Sequence, residues 1–401
     1  MRTRMARLTA AVIALAACEP ARAEHRLHTK PIVVPIEIRN GLIVVRTLVN
    51  GHPALLIVDS GSGISVLDTA FVRAAGVDLS GGSAEVKGTA GTTVRLGTAR
   101  SVQLGDAQLT GVAIAAVPLE AVRGSVGHDI EGTLGFDLFD QYVVDIDYVA
   151  HTLTLSESES YVYRGGGIKV PLAIRHRLPL LSASLTTRTQ GTIPAHLHLD
   201  LGASGYALRL TTPFVRAHSL MADTATVSGV LGIGVGGMIK GDLLRLPALS
   251  LGGVTVHRPS TALSHESDGA FGESADADGA IGASVWSRMH LIIDYSTSQL
   301  ILEPRGDLQT PDAVTGTGIS LREDVSGARA LRVAYVVAGS AGASAGVLVG
   351  DELIALDGRA VSGLSVVDAS AALRNASAPM TIEVRRGAEE KKITLEPRQI
   401  F

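Results

Sequence analysis

The chain has 401 residues, of which 46% are hydrophobic and 18% charged, with a formal net charge of −4. This size suits two or three globular domains, and the mild acidity gives no indication of a nucleic-acid partner. The single cysteine excludes an intramolecular disulfide framework. High glycine content, few aromatic residues and many Val, Thr and Ile residues predict a β-rich protein with numerous turns.

The first 23 residues have the features of an export signal. Three arginines precede an apolar run over 8–17 that is too short to span a membrane as a stable helix. Two processing routes remain open: ordinary cleavage after Ala23, or acylation of Cys18 at the end of a lipobox-like sequence over 15–18. Both predict a cell-envelope protein, either free in the periplasm or held at the membrane as a lipoprotein.

An apolar strand pattern over 53–58 ends at Asp59, and Gly61 follows two positions later. The same pattern recurs where residues 194–199 lead into Asp200 and Gly202. Matching sequences also follow each copy downstream. The repeat therefore predicts two similar lobes, over 29–160 and 161–308, joined by a polar, glycine-rich connector.

Short helices are predicted at matching places in the two lobes. One follows each aspartate turn, over 69–75 and 212–219, and another follows Gly135 and Gly282. Each lobe otherwise reads as strands and hairpins.

Two aspartates at matching places in similar lobes suit acid–base catalysis. Two carboxyl groups about 3 Å apart cannot both ionise, because the like charges raise one pKa strongly. The protonated group can then polarise a peptide carbonyl while the other accepts a proton from water. The glycine after each aspartate allows the two loops to approach closely, because it has no Cβ atom.

These motifs resemble those of retropepsin-like and pepsin-like aspartic peptidases. The family motif is Asp-Thr/Ser-Gly and a small residue, with an apolar pair and a glycine downstream; the chain has 59–62 with 133–135, and 200–203 with 280–282. The resemblance implies a mainly β fold in which two acid-protease-like barrel lobes form an intramolecular pseudo-dimer. It also implies catalysis by Asp59 and Asp200 without cofactor or metal. The residues expected to support the two dyad loops are Ser60, Gly61, Ser62, Gly202 and Ala203.

The second motif departs from the family at Leu201. In the family, the hydroxyl after each aspartate hydrogen-bonds into the opposite loop. Ser60 can make that bond, whereas Leu201 cannot, and the loss weakens a network that holds both carboxylates. Two functions therefore stay open: an aspartic-type endopeptidase of the cell envelope, and an inactive peptide-binding protein with the same fold.

A third hypothesis is a zinc-dependent hydrolase that uses His196, His198 and Asp200. On a strand, these alternating side chains point to one face, in a spacing that can bind zinc. The matching residues of the first lobe are Leu55 and Ile57, which favours a packing role instead.

Two glycine-rich segments, 88–93 and 229–237, lie where the family places the β-hairpin flaps that close over substrate. A flap tyrosine is present in neither segment.

The last part of the chain, over 312–399, resembles a bacterial PDZ domain. Small residues at 339–346 begin and end a helix, and a Gly-Asp pair at 350–351 leads into a strand that ends in Asp-Gly. PDZ domains bind an extended peptide along a strand edge and its terminal carboxylate in a loop. The predicted loop comprises Gly316, Gly318 and Ile319, and the expected partners are peptide or protein substrates and a C-terminal peptide ligand. The alternative is that this domain only docks onto the lobes.

Overall fold

The computed structural model describes residues 24–25, 30–87, 91–222, 227–234, 237–265, 271–272, 275–312, 316–324 and 330–398. In these residues the chain is mainly β, which confirms the predicted fold class. The predicted export segment, with Cys18, lies outside the described residues.

The first lobe contains long antiparallel strands and three short helices. Its strands are β1 (Glu24–His25), β2 (Ile32–Pro35), β3 (Glu37–Arg39), β4 (Leu42–Val49), β5 (His52–Val58), β6 (Ser65–Asp68), β7 (Ser83–Lys87), β8 (Gly91–Leu104), β9 (Ala107–Val117), β10 (Ile130–Leu134), β11 (Tyr142–Asp147) and β12 (Thr152–Glu157). Its helices are α1 (Thr69–Ala74), α2 (Glu120–Val126) and α3 (Phe136–Gln141).

The second lobe repeats this plan. Its strands are β13 (Ile168–Pro171), β14 (Ala173–Arg175), β15 (Leu178–Thr186), β16 (Thr192–Leu199), β17 (Leu208–Leu210), β18 (Val227–Gly234), β19 (Gly237–Arg245), β20 (Ala248–Leu251), β21 (Val254–His257), β22 (Ser260–Ser264), β23 (Gly279–Ile281), β24 (Met289–Asp294) and β25 (Gln299–Pro304). Its helices are α4 (Thr212–Ala217) and α5 (Ala283–Trp286), with a 3₁₀ turn at Leu220–Ala222.

All four helices predicted from the repeat are confirmed. Helices α1 and α4 follow the aspartate loops, and α3 and α5 follow Gly135 and Gly282. Asp68 caps the N-terminus of α1, because its carboxylate accepts hydrogen bonds from the amides of Ala70 and Phe71. Helix α4 has proline in its first turn, where the missing N–H has no intrahelical partner to lose.

The strands around each aspartate have the same arrangement in the two lobes. Strand β5 pairs in parallel with β10, and β10 pairs antiparallel with β6. In the second lobe, β16 pairs in parallel with β23, and β23 pairs antiparallel with β17. The repeat seen in the sequence is thus a repeat of the strands that deliver the two aspartates.

A six-stranded sheet joins the lobes in the order β13-β25-β24-β11-β12-β2. Each lobe supplies three strands, and β11 meets β24 at the centre, where Val144 pairs with Ile293. One apolar cluster passes through both lobes, including Val144, Ile146, Leu291 and Ile293. Because the lobes share this core, we expect them to fold as one unit.

The C-terminal unit has its own apolar core, which includes Val333, Leu353 and Val384. Its strands are β26 (Ile319–Glu323), β27 (Leu331–Val336), β28 (Glu352–Leu356), β29 (Arg359–Ala360), β30 (Met380–Arg386) and β31 (Glu389–Leu395), and its helices are α6 (Ala341–Ser344) and α7 (Val366–Asn375). Within the described residues, β26 is an edge strand that pairs with β27 alone.

None of the helices in the described residues is both long and apolar enough to cross a membrane.

Candidate active site

Asp59 and Asp200 occupy equivalent positions at the ends of β5 and β16. The amide of Asp59 donates to the carbonyl of Leu134 at 3.0 Å, and the amide of Asp200 donates to the carbonyl of Ile281 at 3.1 Å. Each aspartate is therefore held by the parallel strand beside it, in a geometry repeated between the lobes.

The two aspartate loops meet face to face. A Cβ atom added to Gly61 would lie 2.5 Å from Oδ1 of Asp200, and one added to Gly202 would lie 2.4 Å from Oδ1 of Asp59. Side chains do not tolerate such distances, so only glycine permits each carboxylate to pack against the opposite loop. The structure thus brings together the two carboxyl groups that the sequence singled out.

Burial and mutual repulsion disfavour ionisation of this pair. Both side chains are only partly exposed. Desolvation raises the pKa of Asp59, the nearby charge of Asp200 raises it further, and hydrogen bonds from the amides of Gly61 and Gly202 oppose the rise. Desolvation also raises the pKa of Asp200, opposed by His198 and by backbone amides. The two carboxyl groups titrate as a pair and retain a proton at higher pH than free carboxyls do.

Ser60 ties the first loop to the second. Its Oγ donates to the carbonyl of Leu199 at 2.7 Å and accepts from the amide of Leu201 at 3.1 Å. These groups flank Asp200, so one buried hydroxyl fixes the backbone on both sides of the opposite aspartate.

Leu201, at the equivalent position of the second loop, has no hydroxyl with which to form the same hydrogen bonds to the first loop. Its side chain is fully buried and belongs to the apolar core shared by the lobes. By the symmetry of the loops, a hydroxyl at position 201 would face the Val58 carbonyl and the Ser60 amide. The cross-loop bridge predicted for Ser60 is present, and the predicted deficit at Leu201 is present as well.

Each aspartate loop packs against the glycine that follows its parallel partner strand, Gly135 after β10 and Gly282 after β23. A Cβ on Gly135 would lie 2.5 Å from the carbonyl of Ser62, and one on Gly282 would lie 3.0 Å from the carbonyl of Ala203. The same carbonyls accept hydrogen bonds from Phe136 and Ala283, at 3.0 and 2.8 Å. Ser62 and Ala203 thus lie where the loops rest on α3 and α5.

The structure contains an ion pair between the lobes that the sequence did not predict. Arg177 of the second lobe donates to Asp137 on α3 at 3.0 Å, and its guanidinium lies 4.3 Å from the ring centroid of Phe136. Burial raises the pKa of Asp137 to about 6, although Arg177 opposes this rise. No sequence pattern links the two residues. The one available signal was the difference between the copies, because the residue matching Asp137 is Ser284.

The residues of the zinc hypothesis have separate environments. The ring Nδ1 of His198 lies 3.2 Å from the carbonyl of Pro179, whereas the exposed ring of His196 lies 3.5 Å from Asp278. Asp200 packs against Gly61 instead. Among the residues described here, no group of three or more His, Cys, Asp or Glu side chains could hold a metal ion.

The aspartates that end β11 and β24 hold the turns that follow them, and Asp147 also forms an ion pair with Arg305. Asp147 accepts hydrogen bonds from the amides of Val149 and Ala150, both at 2.9 Å. Asp294 accepts from Ser296 and Thr297. Both cap the turns that follow their strands.

Both predicted flaps lie in hairpins. Residues 91–93 form the start of β8, which pairs with β7, and residues 229–234 and 237 belong to the paired strands β18 and β19. The tips, at 88–90 and 235–236, lie outside the described residues.

The predicted carboxylate loop precedes β26. The amide of Gly316 donates to the carbonyl of Arg374 at the end of α7, at 2.8 Å. Gly318 has a φ of +73° and its added Cβ would lie 2.1 Å from that of Ser340, so this position requires glycine. Ile319 is buried at the start of β26.

Comparison with known families supports both parts of this description. Residues 45–138, from β4 into α3, match the model of the aspartyl protease family and include Asp59. The first lobe thus resembles an aspartyl protease domain over these residues. Residues 332–386, from β27 through β30, match a PDZ domain; this second match begins after the carboxylate loop. No curated protein matches the chain.

Proposed function

We propose that the protein is an aspartic-type endopeptidase in which Asp59 and Asp200 activate water for hydrolysis of a peptide bond. The observation that carries this proposal is the reciprocal packing of each aspartate against the glycine of the opposite loop. That packing leaves two carboxyl groups adjacent, desolvated and unable to ionise together.

The reaction needs one proton on the pair. The protonated carboxyl passes its proton to the oxygen of the peptide carbonyl while the ionised carboxylate takes a proton from the attacking water, so a tetrahedral gem-diol forms and the pair keeps one proton. The gem-diol collapses when that proton passes to the leaving nitrogen and the C–N bond breaks, and a hydroxyl of the diol returns one proton to the pair. No covalent intermediate with the enzyme is formed.

The hairpins β7–β8 and β18–β19 suit the binding of an extended peptide across the dyad. Such a peptide would be held by backbone hydrogen bonds, which favours a broad range of sequences. The PDZ domain would bind the C-terminal end of a peptide or protein.

The cell envelope is the proposed location. The features that support it are the arginines and apolar run of the first 23 residues. Acylation at Cys18 would anchor the protein to a membrane, whereas cleavage after Ala23 would release it.

A second candidate function is peptide binding without hydrolysis. It is supported by Leu201, whose side chain cannot supply the second cross-loop hydrogen bond. Cleavage of a mixed peptide library between pH 4 and 7.5, followed by mass spectrometry, separates the two functions. Cleavage that Asp59→Asn abolishes supports the endopeptidase; binding of peptides without cleavage at any pH supports the second function and contradicts the first.

A further inference from the structure

Helix α2 belongs to the first lobe and packs against the PDZ domain. On the lobe side, the amide of Leu119 donates to Asp68 at 3.1 Å, and Arg123 donates through Nε to the carbonyl of Ile130 at 2.7 Å. Asp68 ends the strand that leaves the Asp59 loop. The helix is therefore fastened to the structure that carries the first catalytic aspartate.

On its other side, α2 packs against both β26 and α7 of the PDZ domain. The unpaired edge of β26 is where a PDZ domain would add a peptide strand, and α7 packs beside β26; the space along this edge between β26 and α7 is called the groove below. Gly124 is buried there, and a Cβ added to it would lie 3.4 Å from the carbonyl of Glu323 and 3.8 Å from Cβ of Arg322. Glycine thus gives the helix close access to the C-terminal end of β26.

Polar contacts hold this arrangement at both borders of the groove. Nε2 of His128, just after α2, lies 3.1 Å from Oε2 of Glu323 on β26. Asn40 donates to the carbonyl of Ser125 on α2 at 3.0 Å and accepts from Arg374 on α7 at 3.1 Å. These contacts lie at the C-terminal ends of β26 and α7, and together with the packing of α2 on both elements they place the helix across the groove.

We propose that α2 is an internal occupant of the PDZ groove, and that an extended peptide with a free C-terminus binds only after α2 has moved away. This inference rests on the proposed peptide-binding function of the PDZ domain. Within the described residues, the free edge of β26 is the one on which a peptide strand would pair, and α2 lies against it.

The same helix also contacts β18, a strand of the second flap hairpin. Movement of α2 would therefore remove a support from the flap while it exposes the groove. Peptide capture and substrate access are linked by this one helix.

If α2 covers the groove in most molecules, the apparent Kd for peptide equals the intrinsic Kd divided by the fraction of molecules in which the groove is open. Gly124→Glu should raise that fraction, because the new side chain would collide with the end of β26 and place a second negative charge beside Glu323. Ala121→Glu is the matched control, because Ala121 is exposed on the same helix.

The test uses the full chain and an array of seven-residue peptides with free C-termini, from which the best binder is titrated by fluorescence anisotropy. We expect Gly124→Glu to bind that peptide at least about tenfold more tightly than wild type, and Ala121→Glu to match wild type. The double variant Asn40→Ala, His128→Ala removes the polar contacts without a bulky side chain and should strengthen binding in the same direction.

Equal, measurable binding by wild type and by the variants that fold would contradict the proposal that α2 competes with peptide for the groove, and would leave the peptide-binding function intact. Failure of every folded variant to bind any peptide of the array would overturn that function, and the inference with it.

Discussion

The two dyad loops share one backbone geometry and differ in one side chain that matters for their connection. Ser60 reaches across to the second loop with a donated and an accepted hydrogen bond, whereas Leu201 turns into the apolar core. The first loop therefore braces the second, but receives no hydroxyl in return. Close approach of the aspartates therefore depends on the glycines of both loops, whereas the hydrogen bonds that connect the loops come from Ser60 alone among these two positions.

The largest effect should come from removal of either dyad carboxyl. Asp59→Asn and Asp200→Asn should each lower kcat about a thousandfold, because an amide cannot exchange the proton that general acid–base catalysis requires. Initial rates on the best peptide found in the library measure this loss. Asp147→Asn is the control, since Asp147 is also duplicated but caps a turn; a loss comparable to that of Asp59→Asn would show that the dyad is misassigned.

Removal of the single bridge should be the next largest effect. Ser60→Ala loses both cross-loop hydrogen bonds and leaves the buried Leu201 amide without this partner, which should lower the free energy of unfolding by about 2 kcal/mol. Misplacement of Asp200 should also lower kcat by about tenfold or more. Urea unfolding and initial rates give the two values.

Ser62→Ala provides the comparison for this bridge, because the Ser62 hydroxyl donates to Ile64 within its own loop. If Ser62→Ala costs as much activity as Ser60→Ala, the bridge between the loops has no special importance.

The raised pKa values predict a pH-dependent stability. The folded protein holds the dyad protons more tightly than the unfolded chain, so the contribution of the pair is greatest below the ordinary carboxyl pKa of 3.8. It declines as the pH rises toward about 8, the pKa of Asp59 in the folded protein. Asp59→Asn removes a group that stays largely protonated in the folded protein at pH 7.5 but ionises on unfolding, and should therefore stabilise the folded protein by on the order of 2 kcal/mol at that pH.

Melting temperatures between pH 4 and 8 test this decline. The melting temperature of Asp59→Asn should increase relative to that of wild type as the pH rises. Asp106→Asn, at an exposed turn, serves as the control. Parallel curves for wild type and Asp59→Asn would show that folding does not raise the pKa of Asp59.

The sequence could predict what the duplication repeats. The strand–aspartate–glycine copies at Asp59 and Asp200, and the four short helices, follow from patterns that local chemistry imposes on each lobe. Contacts between different units had no such pattern. The meeting of Gly124 with Glu323, and that of Asp137 with Arg177, join residues whose partners are set by the packing of whole lobes. Single side chains there carry no periodicity that would reveal them.

The smallest expected effect is also the most direct test of the one-sided bracing. Leu201→Thr places a hydroxyl where, by symmetry with Ser60, it would meet the Val58 carbonyl and the Ser60 amide. The change removes buried carbon atoms, which should lower stability by about 1 kcal/mol or more. The regained bridge should nevertheless raise kcat a few-fold, because it holds Asp59 more firmly; a well-made hydrogen bond contributes about 1 kcal/mol.

Leu201→Val separates these two contributions, because valine has the shape of threonine without the hydroxyl. Both variants lose a similar amount of apolar packing, so the difference between their kcat values reports the hydroxyl alone. A threonine variant faster than the valine variant would show that the first loop benefits from being held. If the two are equally active, the bridge from Ser60 is sufficient, and Leu201 is a packing residue with no consequence for the chemistry.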